Sequence, residues 1–130
     1  MAKGVVIPRP PKGLGPAGRD LHKRIWADLG PDMELDARER EVLRLACLQV
    51  DVVAELESAV VRDGRIVAGS TGQARVHPAV GEARQAALAA GRLLGLLALV
   101  DDDGRPQTMA QKRARHAAQS RYLQRPAARG

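Results

Sequence analysis

The side chains most able to do chemistry are the lysines and arginines near the two ends of the chain. Residues 104–130 hold seven basic residues and no acidic one. Four of the seven fall in one helix-permissive stretch: Lys112, Arg113, Arg115 and Arg121. The first twelve residues add three more, again without an acid: Lys3, Arg9 and Lys12. Ammonium and guanidinium groups bind phosphate oxygens, so both ends are candidate contacts with a polyanion; the alternative is a pair of solvated tails that maintain solubility.

The charge distribution predicts three regions along the 130 residues. The whole chain carries a formal charge of +6, but residues 13–103 carry −4 between the two basic ends. We therefore expect a basic N-terminal arm over residues 1–15, a helical oligomerisation core over 16–103 and a basic C-terminal tail over 104–130. The tail has a weak apolar face, which predicts a disordered arm that orders on a partner.

The composition also excludes classes of nucleic-acid binding. Trp26 and Tyr122 are the only aromatic residues of the F, W and Y types. RNA-recognition sheets and single-strand stacking grooves need aromatic platforms for the bases. The chain cannot build such platforms.

No catalytic residue, cofactor or metal site is predicted. Cys47 is the single cysteine and lies in an apolar helical run, so we expect it to be buried. The three histidines, His22, His77 and His116, have no metal-ligand spacing. Gly69-Ser70-Thr71-Gly72 lacks the Gly-Lys-Ser/Thr ending of a phosphate loop and predicts a turn between two short strands. His77, directly before Pro78, is expected to cap a helix or pack at a turn. The sequence therefore favours a binding protein over an enzyme.

Helix signals position these residues on a mainly α fold. Gly15-Pro16 begins a short helix that Gly30-Pro31 ends. A second, long helix begins at the capping box Asp36–Glu39 and ends at Gly64. A small β-hairpin or loop leads to a third helix over 78–100. We expect the two long helices to pack antiparallel.

The long helices are more apolar than one helical hairpin can cover, which predicts self-association. The polar stripe of the second helix includes Asp51 and Glu55. The third helix contains Gly81, Gly91 and Gly95, whose intrinsic helix penalty is offset if another helix approaches closely. The alternative is a monomer in which the first helix covers the pair. The most apolar run, Ala86 to Val100, is too short to span a bilayer, so no membrane partner is expected.

Several local motifs, taken in order, resemble the small terminase subunits of tailed bacteriophages and their prophages. The first is Gly13-Leu14-Gly15-Pro16-Ala17-Gly18-Arg19, followed by Ile25-Trp26. The second is Val61-Arg62-Asp63-Gly64 at the end of the long helix. The third is Ala68-Gly69-Ser70-Thr71-Gly72-Gln73 leading into Val76-His77-Pro78-Ala79, with Arg84 beyond it. The resemblance covers roughly residues 13–100.

The resemblance implies a non-catalytic subunit that assembles as a ring, binds the packaging start site of double-stranded viral DNA and delivers it to the large terminase. That larger partner supplies the ATPase and nuclease, in the cytoplasm of an infected or lysogenic bacterial cell. Two other hypotheses stay open on the residues alone. One is a small basic transcription regulator with a helix-turn-helix; the other is a scaffold or adaptor whose acidic body docks a protein partner.

Overall fold

A computed structural model describes Gly4 and residues 6–31, 34–97, 99–100, 106–107 and 109–124. Its helices are α1 (Pro16–Leu29), α2 (Ala37–Asp63), α3 (Pro78–Leu96) and α4 (Met109–Leu123). Its strands are β1 (Ile66–Ala68), β2 (Ala74–Val76), β3 (Leu99–Val100) and β4 (Pro106–Gln107). The mainly α prediction, with a short first helix and two long helices joined by a β-hairpin, is confirmed. The predicted phosphate contact Lys3 falls outside the described residues.

The long helix α2 begins and ends where its sequence signals predict. The Asp36 side chain accepts a hydrogen bond from the Glu39 backbone N–H at 2.7 Å, and the Glu39 carboxylate accepts one from the Asp36 N–H at 2.9 Å. This reciprocal pair satisfies two of the amide groups that a helix start leaves without partners. Gly64 ends the helix with a φ of 84°, which glycine adopts without a Cβ clash.

The β-hairpin turns the chain so that α3 returns along α2. Ile66 pairs with Val76 and Ala68 with Ala74, antiparallel, and the Gly69 N–H donates to the Gln73 carbonyl at 2.7 Å to close the turn. Gly72, at a φ of 81°, donates to the Gly69 carbonyl. The Gly-Ser-Thr-Gly segment is thus the predicted turn between two strands.

The core lies at the end of the helix pair where α1 packs. Its apolar cluster joins α1, the start of α2 and the end of α3, and its buried members are Leu14, Leu21, Trp26, Leu29, Leu35, Leu43, Ala46, Cys47 and Leu97. On α2, the buried residues fall between Leu43 and Asp51. The burial of Cys47 is as predicted. Leu97 shares this cluster with Leu43 while β1 and β2 join the other ends, so α2 and α3 run antiparallel.

Two predictions about the C-terminal third are wrong. The third helix ends at Leu96 rather than at about Val100, because Leu99–Val100 pair antiparallel with Pro106–Gln107 as β3 and β4. Residues 109–123, expected to be disordered without a partner, form the helix α4. Strong helix formers dominate α4, and two of its basic side chains, Lys112 and Arg113, lie near carboxylates of the body.

Candidate nucleic-acid interface

Helix α4 presents all four of the C-terminal candidate residues. Lys112 and Arg113 are half-buried, whereas Arg115 and Arg121 are exposed. Because successive residues of an α-helix are about 100° apart around its axis, these four side chains are distributed around α4. The structure therefore brings them onto one helix but not onto one face.

Lys112 and Arg113 lie beside acidic residues of the body. The Lys112 Nζ is 3.7 Å from Glu39 Oε1, and the Arg113 Nη2 is 3.9 Å from Asp28 Oδ1. The aliphatic stem of Arg113 also covers Gly30: its Cδ is 3.1 Å from the position that a Cβ on Gly30 would take. Both N–O distances are long for an ion pair, so charge attraction rather than a hydrogen bond holds each pair together.

A cleft of about 470 Å³ separates α4 from the end of α1. Leu29 and Pro31 form its body wall. The α4 wall is polar and basic, and its side chains are Arg113, His116, Ala117, Ser120, Arg121 and Gln124. Guanidinium, imidazole, hydroxyl and amide groups on one wall are hydrogen-bond donors that suit an anion.

The N-terminal candidates lie elsewhere. Arg9 and Lys12 are exposed, and Lys3 is outside the described residues. Arg9 lines a second cleft, of about 370 Å³, together with Trp26 and Arg40. The two clefts share no lining residue. The structure therefore keeps Arg9 apart from the α4 cleft, and the role of the seven candidate residues in DNA binding stays a prediction.

His22 and Trp26 form a buried polar contact beneath the Arg9 cleft. The Trp26 indole N–H donates to His22 Nε2 at 3.1 Å, and the Arg40 guanidinium lies 6.0 Å from the centre of the Trp26 ring. Burial lowers the pKa of His22 from its ordinary value of 6.5. The His22 ring is neutral in this contact, since Nε2 must be unprotonated to accept.

Asp51 fastens α1 to α2. Its carboxylate accepts hydrogen bonds from the backbone N–H groups of Gly15 and Gly18, each at 2.7 Å, so it caps the start of α1 from another helix. The pKa of the neighbouring Cys47 thiol is raised to about 11, chiefly by burial and secondarily by the Asp51 charge. A buried thiol with a raised pKa is a poor nucleophile.

His77 links the end of α2 to the start of α3. Its Nδ1 accepts from the Ala79 N–H at 3.0 Å and so caps α3, while its Nε2 lies 3.0 Å from Asp63 Oδ2 at the end of α2. The prediction that His77 caps a helix is confirmed. Hydrogen bonds from Arg62 and then His77 hold the pKa of Asp63 well below its usual range. These side chains brace the junction between α2 and α3.

Sequence reasoning missed three carboxylates that matter to this arrangement. Asp51 belongs to the predicted polar stripe but is only 8% exposed, because α1 covers it. Asp28 and Glu39 were not foreseen as neighbours of the C-terminal cations. The Gly15-Pro16-Ala17-Gly18 segment could have indicated an acceptor such as Asp51. It offers no local side chain to cap α1, and its two glycines leave room for a carboxylate from another helix.

The described part of the chain shows neither a cluster of metal-ligating side chains nor a membrane-spanning helix. Among those residues, no three His, Cys, Asp or Glu side chains come together as a metal site. None of the helices described is both long and apolar enough to cross a bilayer.

The comparison with protein-family models matches residues 18–116 to the family described as phage terminase, small subunit. The matched segment begins in α1 and reaches into α4, beyond the region on which the resemblance rested. It therefore includes Lys112, Arg113 and Arg115, but not Arg121. No curated protein and no solved structure matched the chain. Because the family match spans well over half of the 130 residues, the chain belongs to the phage terminase small-subunit family.

Proposed function

We propose that this chain is a non-catalytic packaging subunit that binds double-stranded viral DNA at its start site and delivers it to the large terminase. Family membership supports a role in phage DNA packaging. One observation supports DNA binding. Helix α4 lies at the surface of the body and contains four basic residues and no acidic one. The site of action is the cytoplasm of the bacterial host.

The proposed DNA contacts are to phosphates. Lys112, Arg113, Arg115 and Arg121 project in different directions from α4, so they suit the charged backbone better than the edges of bases in one groove. Arg9 and Lys12, with Lys3, supply a second and weaker set of contacts. The body between these arms, residues 16–103, serves as the oligomerisation core.

Self-assembly into a ring is the second part of the proposal. Apolar side chains remain uncovered along the helix pair: Val61 is 86% exposed, Leu88 57% and Leu96 63%. No described atom lies within 4 Å of a Cβ built on Gly81, Gly91 or Gly95, so these glycines leave space for a neighbouring helix. A ring of subunits multiplies weak phosphate contacts into useful affinity.

The DNA contacts can be tested by fluorescence anisotropy with a mixed-sequence duplex over a range of salt. Charge reversal of the four α4 cations, each to Glu, should weaken binding. It should also flatten the salt dependence, by about 0.9 in log K per decade of salt for each phosphate that the variant no longer neutralises. A matched control reverses four exposed body arginines: Arg38, Arg65, Arg75 and Arg92. An unchanged affinity and slope in the α4 variant would refute the assignment of DNA binding to α4.

The assembly can be tested by native mass spectrometry, after light scattering in about 0.3 M salt to screen weak charge contacts. We expect one closed assembly of many subunits. Leu88→Glu, which charges the open face of α3, should dissociate it, whereas Gln119→Glu on α4 adds the same charge and should not. A monomer or dimer for the unmodified chain would overturn the ring.

A further inference from the structure

We propose that the face of α4 turned toward the body is part of its phosphate-binding surface, and that Asp28 and Glu39 hold this part closed until duplex DNA displaces them. This inference rests on the proposed DNA binding and adds a mechanism to it. Lys112 and Arg113, the two half-buried cations of α4, have carboxylate neighbours on the body at 3.7 and 3.9 Å. In this closed state the body's own acids occupy the place of phosphates.

The contact between α4 and the body is weak enough to open. The α4 side chains along the cleft are polar or small, and only Lys112, Arg113 and Ser120 of the described residues 111–124 are even half-buried. Because the described α4 side chains along the cleft are polar or small, the closed state depends mainly on charge attraction, and a solvent-accessible ion pair changes an equilibrium by about fivefold or less. A polyanion can therefore compete for the same cations.

The closed state keeps duplex DNA away from the body-facing side of α4. A cleft of about 470 Å³ has room for small groups but not for a double helix. Asp28 and Glu39 would also repel phosphates brought close to their partners. DNA can reach Arg113 and His116 on the cleft wall only when α4 moves away from Leu29 and Pro31.

The body does not depend on α4 to hold its acids in place. Glu39 Oε2 accepts from the Asp36 N–H at 2.9 Å, whereas its other oxygen, Oε1, faces Lys112. The capping box therefore fixes Glu39 whether α4 is docked or released. Opening changes the position of α4 without unfolding the start of α2.

The first test removes the acids that close the cleft. The double variant Asp28→Asn with Glu39→Gln keeps side-chain shape, and the new amide oxygen of residue 39 can still accept from Asp36. We expect its affinity for a short mixed-sequence duplex to rise about fivefold at low salt. The matched control is Glu55→Gln with Glu82→Gln, two exposed acids on α2 and α3 that give the same change in net charge. The control should gain much less.

The second test prevents α4 from leaving. Pro31 and Ala117 line opposite walls of the cleft, so cysteines placed at both positions can be joined by a short reducible crosslinker. The locked chain should lose DNA affinity and regain it on reduction. The same crosslinker on a chain with only one of the two cysteines controls for the chemistry.

The outcomes separate this inference from the proposed function. Equal affinities for the unmodified chain, the acid-neutralised variant and the locked chain would refute the closed state while leaving DNA binding intact. If neither the unmodified chain nor the acid-neutralised variant binds duplex DNA, both proposals fail. A gain in the control equal to that in the double variant would also overturn the closed state, since net charge alone would then explain it.

Discussion

The carboxylate of Asp51 accepts a hydrogen bond of 2.7 Å from the backbone N–H of Gly18, a residue 33 positions earlier in the chain. The same carboxylate binds the Gly15 N–H, and Pro16 between them has no N–H to satisfy. One side chain of α2 thus does what a local Ser, Thr, Asp or Asn does at most helix starts. The orientation of α1 on the core depends on this contact.

Removing the Asp51 carboxylate should destabilise the fold. Asp51→Ala leaves two backbone N–H groups without an acceptor, so we expect the free energy of unfolding to fall by about 2–4 kcal/mol. Asp51→Asn keeps one acceptor oxygen and should lose less. Urea denaturation measures both, with Glu55→Ala, one turn further along α2 and exposed, as the control. A loss no larger than that of the control would contradict the cap.

Two glycine substitutions should have opposite effects. An alanine Cβ at Gly18 would lie 2.7 Å from the Cys47 carbonyl oxygen, so the backbones must move apart and stability should fall by about 1–3 kcal/mol. No described atom of the same chain lies within 4 Å of a Cβ at Gly81, so Gly81→Ala should raise the stability of the separate subunit by up to about 1 kcal/mol through helix propensity. The urea denaturation midpoints of the two variants, measured at one protein concentration, test this prediction. If Gly18→Ala stabilises the chain as much as Gly81→Ala does, Gly18 is not in close contact with α2.

Acid should destabilise the chain through His22. Burial lowers the pKa of His22 below 6.5, so the unfolded chain takes up the proton more readily than the folded one. This contribution to the free energy of unfolding is fully present above pH 6.5 and is lost as the pH falls toward the lowered pKa. Urea titrations followed by the fluorescence of Trp26, the single tryptophan, measure it.

His22→Gln is the control for that pH dependence. A glutamine can accept from the Trp26 indole but does not titrate, so its stability should vary less between neutral and mildly acidic pH. The difference in stability between the two chains should therefore change as the pH falls. A difference that stays constant would show that another group is responsible.

The junction between α2 and α3 should weaken when His77 is replaced. His77→Ala removes both the cap on the Ala79 N–H and the contact with Asp63, and should lower the free energy of unfolding by about 1 kcal/mol. His77→Asn can still cap α3 but is too short to bridge to Asp63, so we expect an intermediate value. Thermal and urea unfolding test the order. An asparagine variant no better than alanine would argue against the capping role.

Much of the fold is predictable because its signals are local. The Asp36–Glu39 capping box, the glycine that ends α2 and the Gly-rich turn each act over a few residues. His77 as a cap is foreseeable for the same reason, since its acceptor Nδ1 serves an amide only two residues away. Such features depend on backbone geometry that neighbouring residue types determine.

The site is less predictable because its contacts join distant segments. The position of Asp51 on a polar stripe is read correctly from helical spacing, but its burial depends on where α1 docks. Lys112 and Glu39 likewise become neighbours only once α4 lies against the body. An ordered α4 was not expected because its apolar face is weak. The spacing of apolar residues cannot reveal charge attraction between α4 and other segments.

The placement of the core gives the helix pair a gradient of local stability. The buried residues of α2 end at Asp51, and the buried side chains of α3 are small, namely Ala79, Ala86 and Ala90. Small side chains give up little free energy when they are exposed, so amide protons near Val61 should exchange faster than those near Leu43. A subunit seated against the far end would slow exchange there most. Exchange rates along one helix therefore report on assembly.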